Sequence, residues 1–222
     1  YTTNIPAFSS PDKLHLDGEH LMHMWPMEGF FLSGAPIARQ SVMAIGNQAK
    51  YSTHRHFFDE VADPPPSLDR LFYFDDQNHP ERIPDYFYTR IYASHLLSTA
   101  WTYGATGDEW SLFYSRWLAR RMLYLQRENA GVLRDRKGWA RLPPWMEAEA
   151  AIAAYALFRE TGDEALLDIM GAWLEFAWHE AYEPGKGMPH RFARGQEPEK
   201  FEHHWYPGVA APLCYDALGD PK

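Results

Sequence analysis

The residues able to do chemistry fall in four groups along the chain. His20 and His23 stand three apart, with Trp25 just beyond them. Tyr88, Arg90 and Tyr92 alternate, as do Trp145, Glu147 and Glu149, and His203-His204-Trp205-Tyr206 is an unbroken run. Imidazole titrates near neutral pH, so His20 or His204 can take and return protons, and the phenols of Tyr88 and Tyr206 can fill such a role too. The Arg90 guanidinium can hold a carboxylate in a two-pronged grip. Trp25, Trp145 and Trp205 offer flat apolar faces with one polar edge, suited to stacking on a ring. Glu147 with a second acid, Asp85 or Glu19, would be the kind of pair that hydrolyses glycosidic bonds.

Each group also has a plainer reading. The histidines can be hydrogen-bonded structural residues, and Arg90 can tie one helix to another through a salt bridge. The aromatic run can be a packed cap, and carboxylates in a first helical turn offset the helix dipole. His54, His56 and His79 could gather round a metal, the first two alternating along an extended segment. No Cys joins them and the spacing fits no closed zinc site, so no metal is expected. The sequence has neither a Gly-rich phosphate loop nor a nucleophile elbow, and no cofactor is expected.

The elements that must position these groups are marked by a recurring turn. It reads Leu32-Ser33-Gly34-Ala35-Pro36, Ala105-Thr106-Gly107-Asp108-Glu109, Glu160-Thr161-Gly162-Asp163-Glu164 and Leu218-Gly219-Asp220-Pro221. Gly takes the left-handed conformation just past a helix end, and Asp caps the helix that follows. Seven helices are therefore expected: Gly18–Ser33, Pro36–Lys50, Tyr86–Ala105, Glu109–Arg127, Trp145–Arg159, Glu164–Ala181 and His203–Leu218. Long connections separate the hairpins, over Tyr51–Pro84, Asn129–Leu142 and Glu183–Glu202, and a polar stretch over Tyr1–Asp17 leads in. Inward stripes are expected from Ala38, Val42, Ile45 and Ala49, from Trp110, Tyr114, Trp117, Leu118 and Leu125, and from Leu167, Met170, Leu174 and Trp178. Short turns on one side and long loops on the other predict an all-α fold, an incomplete α/α toroid in which inner helices alternate with outer ones. The four reactive groups open inner helices, so function is expected at the long-loop rim.

Composition agrees with a packed domain: hydrophobic residues make up 45% and aromatics 16%. Nine Trp and thirteen Tyr are more than a core of this size needs, which points to a ligand surface. The net charge of −9 argues against nucleic acid or an anionic membrane as a partner. The lone Cys214 excludes an internal disulfide. The chain opens without Met and reaches Asp220-Pro221 where another helix is due, so residues 1–222 are expected to be one toroid domain from a longer protein, with a slight leaning to a secreted or periplasmic one.

Asp17-Gly18-Glu19-His20-Leu21 leading to Gly29-Phe30-Phe31-Leu32-Ser33-Gly34 resembles the opening of carbohydrate-active toroid domains. Arg90 through Tyr103-Gly104-Ala105-Thr106-Gly107-Asp108 is similar to their next repeat, and Trp145-Met146-Glu147 through Thr161-Gly162-Asp163 to the one after. Over most of its length the chain resembles the C-terminal toroid domain of the exo-rhamnogalacturonan lyase family. That resemblance implies β-elimination on an acidic glycan, with β-rich domains of the same parent chain and a polysaccharide or oligosaccharide substrate as partners. Under this reading His20, Tyr88, Arg90, His204 and Tyr206 are the expected catalytic set. His23, Trp25, Tyr92, Trp145, Glu147, His203 and Trp205 are the expected substrate contacts. Two alternatives stand beside it: a glycoside hydrolase using Glu147, and a helical repeat scaffold without catalysis.

Overall fold

The computed structural model describes residues 29–30, 32–57, 89–128, 133, 144–189 and 205–219. They form six named helices: α1 (Pro36–Phe57), α2 (Thr89–Thr106), α3 (Glu109–Glu128), α4 (Pro144–Thr161), α5 (Ala165–Phe176) and α6 (Trp205–Leu218). A π-helical turn, Ala177–Ala181, continues α5. A further helical stretch runs into Gly34. The architecture is the expected all-α, incomplete α/α toroid. Helices α2, α4 and α6 form the inner row, each packed on the next, while α3 packs on α2 and α5 on α3 and α4.

The recurring turn works through more groups than glycine and aspartate. Gly34, Gly107, Gly162 and Gly219 all take left-handed φ values, 62°, 70°, 66° and 74°. Each donates its N–H to the carbonyl four residues back, on Phe30, Tyr103, Phe158 and Tyr215. The hydroxyl residue just before the glycine has two jobs. Thr106 and Thr161 donate to the carbonyls of Thr102 and Leu157, and their oxygens accept the N–H of Asp108 and Asp163 at 3.2 and 3.3 Å. Ser33 repeats both bonds, to the Gly29 carbonyl and from the Ala35 N–H. Downstream, Asp108 Oδ2 accepts the N–H of Ser111 at 3.1 Å and so caps α3. Asp163 Oδ1 accepts the first N–H of α5, on Ala165, at 3.1 Å from just ahead of the N-cap Glu164.

Inner helices α2 and α4 are buried almost all round, as an inner layer requires, whereas α6 buries Ala210 and Cys214 and leaves Pro212, Tyr215 and Asp216 exposed. Helix α4 achieves this with alanines: Ala148, Ala150, Ala151, Ala153 and Ala154 leave no gap between it and its neighbours. Helix α2 uses hydroxyls that bond to their own helix, Ser98 to the Ser94 carbonyl and Thr99 to that of His95, so buried polar groups stay satisfied without bulk. Trp173, Leu96, Leu118, Met122, Leu157, Ile169 and Met170 fill the space between the layers.

Four expectations are corrected. Helix α1 extends to Phe57, so His54 and His56 stand on a helix and not on an extended segment. Gly46 lies against Thr102 and Lys50 pairs with Asp108, so α1 runs toward the Gly107 turn, where the hairpin order had it running away. On α5 the buried face is Leu166, Ile169, Met170 and Trp173, while Trp178 is exposed. Ordinary helical spacing explains this: Trp178 follows the buried Ala177 by one residue, about 100° round the helix, and so lies to the side of that face. Trp110 stands exposed at the start of α3, one turn ahead of the buried Phe113 and Tyr114.

Candidate functional site

The first turns of the inner helices bring together part of the sequence-expected site. Tyr206 stacks on Trp145, ring centroids 6.0 Å apart and planes inclined by 24°. Ten residues further along both helices, Tyr155 donates its hydroxyl to Asp216 Oδ2 at 2.6 Å, so α4 and α6 run parallel and in step. Arg159 donates in turn to the Tyr155 oxygen at 3.0 Å, which fixes the far ends of the two helices. The register that places Trp145 under Tyr206 is thus held at both ends.

Glu147 lies in the first turn of α4 and is buried, as is Glu149. Its Oε2 accepts the backbone N–H of Leu133 at 3.0 Å, and Leu133 is itself buried. One carboxylate oxygen therefore fastens the connection between α3 and α4 onto the inner layer. Tyr92 sits within the core cluster on the first turn of α2, followed by buried Ser94 and His95. Arg90 and Trp205 occupy the first turns of α2 and α6. His20, His23, Trp25, Tyr88, His203 and His204 lie outside the described residues, together with Glu19, His79, Asp85 and Asp220.

His95 and Arg121 are buried polar residues that the sequence reading did not single out as site candidates. His95 is fully buried on α2, three residues past Tyr92. Arg121, buried on α3, places its guanidinium carbon 5.8 Å from the Trp117 ring and 6.0 Å from that of Tyr124. The signal available was a histidine amid apolar and small neighbours for His95, and for Arg121 one of two adjacent arginines in an otherwise apolar run; such groups seldom go inside without a partner. Among the described residues no cluster of three or more His, Cys, Asp or Glu has the geometry of a metal site. No described helix is long and apolar enough to cross a membrane.

One cavity lies apart from the described members of the expected set. It measures about 710 Å³ and lies between α5, its π-helical turn and α6. Trp173, Trp178, Tyr182, Met188, Ala211 and Tyr215 are among its walls, and none of the described residues expected to act in catalysis or binding is among them.

With the geometry in place, comparison with solved structures finds a likeness to the crystal structure of D-mannose isomerase. The TM-score is 0.57 at 15% identity, with 90% of this chain and 55% of that one covered. This chain thus spans about half the length of the protein it matches, and at that identity the likeness is one of fold. No family model matches the sequence, and no curated protein does.

Proposed function

We propose that this chain forms part of a carbohydrate-active enzyme that removes a carbon-bound proton from a sugar at the rim where the inner helices begin. The observation that carries the reading is the stacked pair Trp145 and Tyr206, which brings the starts of α4 and α6 together. Two aromatic residues there offer an apolar wall and a phenol beside the buried carboxylates of α4. The fold likeness to a sugar isomerase supports the carbohydrate class.

The finer reading is β-elimination on an acidic, rhamnogalacturonan-like glycan. Arg90 would neutralise the uronate carboxylate and so acidify the neighbouring C–H. A base among His20, His204 and Tyr88 would take that proton. The C–O bond to the leaving sugar would then break, and Tyr206 would return a proton to the departing oxygen. Hydrolysis through Glu147 fits less well, because its Oε2 is engaged by the Leu133 N–H.

The likeness to D-mannose isomerase favours a second reading with the same first step. Isomerising an aldose by proton transfer also begins with loss of a proton next to a carbonyl. It ends with reprotonation at the neighbouring carbon, and no bond to a leaving group is broken. The two separate in deuterated water: isomerisation puts deuterium into a recovered monosaccharide, whereas elimination yields an unsaturated uronate. Arg90→Ala should abolish elimination, and an Arg90→Ala variant that still cleaves uronate chains would overturn Arg90's role.

A further inference from the structure

Helix α4 turns its two carboxylates, Glu147 and Glu149, to different sides. Residues that share a helix face recur every three or four positions. Trp145, Glu149, Ile152 and Ala156 do so, and they keep 8%, 6%, 8% and 8% of their surface exposed. Every other residue from Glu147 to Ala154 is at 2% or less. Glu147, Ala150, Ala154 and Leu157 make up the opposite, sealed face.

Helix α2 shows which face looks where. Thr99 accepts the Ser115 hydroxyl of outer helix α3 at 2.8 Å, so the Thr99 face points to the outer layer. Leu97 and Trp101, on the far side of α2, are the more exposed, and the interior of the ring lies there. Counting back from the glycine that ends each inner helix carries this across the repeat. Leu97 and Trp101 stand ten and six residues before Gly107, as Ile152 and Ala156 stand before Gly162. Thr99 matches Ala154 of the sealed face in the same way. Glu149 stands thirteen residues before Gly162, and Tyr206 thirteen before Gly219. Glu149 therefore lies on the interior face, one turn beyond Trp145 and in the same repeat position as Tyr206, whose ring stacks on Trp145. Glu147 is turned the other way and held by Leu133.

We propose, on the carbohydrate reading of the rim, that Glu149 is the carboxylate that meets the substrate and that it reserves the subsite walled by Trp145 and Tyr206 for a neutral sugar ring. An ionised carboxylate only accepts hydrogen bonds, so the hydroxyls of a neutral ring suit it. A uronate carboxylate in the same place would meet like charge. In a glycan that alternates uronate and neutral sugar, the neutral ring falls to α4 and α6 and the uronate to Arg90.

The test reads binding and not turnover, so it fails separately from the proton-abstraction reading. Galactotriose and trigalacturonate, both α-1,4-linked, differ in the carboxylates at carbon 6, and calorimetric titration gives the ratio of their affinities. Glu149→Gln should lower the preference for galactotriose by about tenfold or more, the size of a hydrogen bond to a charged group. Glu147→Gln should leave it as in the unaltered chain. In the unaltered chain, coupling of an amine by a water-soluble carbodiimide should modify Glu149 ahead of Glu147, and galactotriose should slow it. Mass spectrometry reads this second arm without any substitution. An unchanged preference in Glu149→Gln, an equal loss in both variants, or Glu149 coupling that galactotriose does not slow would overturn the proposal.

Discussion

Glu147 Oε2 accepts the Leu133 N–H at 3.0 Å, with both residues buried on the inner layer. A buried acceptor that holds a backbone N–H can be exchanged for another acceptor but not removed. Glu147→Gln should therefore keep stability within about 1 kcal/mol, while Glu147→Ala leaves the Leu133 N–H without its partner and should cost about 1–3 kcal/mol. Urea denaturation of both variants checks this. Glycan turnover surviving in Glu147→Gln would also remove Glu147 from any acid–base role.

Asp108 is half-buried and links α1 to α3, accepting from Lys50 of α1 at 2.5 Å and from the Ser111 hydroxyl and N–H at the start of α3. Burial alone would raise its pKa. The hydrogen bonds from Lys50 and Ser111 and the Lys50 charge together outweigh burial, and the net shift is below the ordinary 3.8. A carboxyl lowered on folding contributes stability above its unfolded pKa and loses it as the pH falls through the folded one. Stability should accordingly drop on acidification below about pH 4, and Asp108→Asn should flatten that part of the profile. At neutral pH, Asp108→Ala should cost about 1 kcal/mol for the lost cap. Thermal midpoints followed from neutral into acid pH check both predictions.

Gly46 and Gly171 make opposite forecasts for the same substitution. A Cβ at Gly46 would lie 2.1 Å from Thr102 Oγ1 and 2.7 Å from Thr102 Cβ, and the threonine is stiff and part of the inner layer. Gly46→Ala should destabilise by about 1–3 kcal/mol. Gly171→Ala meets open space within α5 and should be neutral or gain up to about 1 kcal/mol from helix propensity. Equal effects at the two sites would contradict the packing described for α1 on α2.

Cys214 is fully buried in α6, and burial pushes its thiol pKa up to about 12. The thiolate is the reactive species, so Cys214 should react with an aromatic disulfide reagent only as fast as the structure opens. Rates that match a free thiol in native buffer would show α6 to be loosely held.

The turns were legible in the sequence because they depend on local chemistry. Only glycine sits comfortably at the positive φ of Gly107 and Gly162, and aspartate is a strong cap. The service done by Thr106 and Thr161 follows the same local logic, yet threonine serves in many settings, and its two bonds became clear only with the backbone in view. Trp178 is misplaced because the expected stripe through Leu167 and Leu174 lies to one side of the buried one through Leu166, Ile169 and Trp173, and apolar residues in both leave the choice open in the sequence. The direction of α1 depends on Gly46 meeting Thr102 and on Lys50 meeting Asp108, contacts between distant residues that no local pattern encodes. The same holds for Glu147, whose partner Leu133 belongs to a different part of the chain. Trp145 and Tyr206 were each placed at an inner-helix start by spacing alone, while their stacking needed the α4–α6 register set by Tyr155 and Asp216.

The most direct measurement is the absorbance of an unsaturated uronate while the protein is incubated with rhamnogalacturonan and other uronate polysaccharides in deuterated water. A rise in that band, abolished by Arg90→Ala and retained by Glu147→Gln, is the expected result. No rise on any substrate, with no deuterium entering recovered D-mannose or related sugars, would contradict proton abstraction from a sugar as the work of this fold.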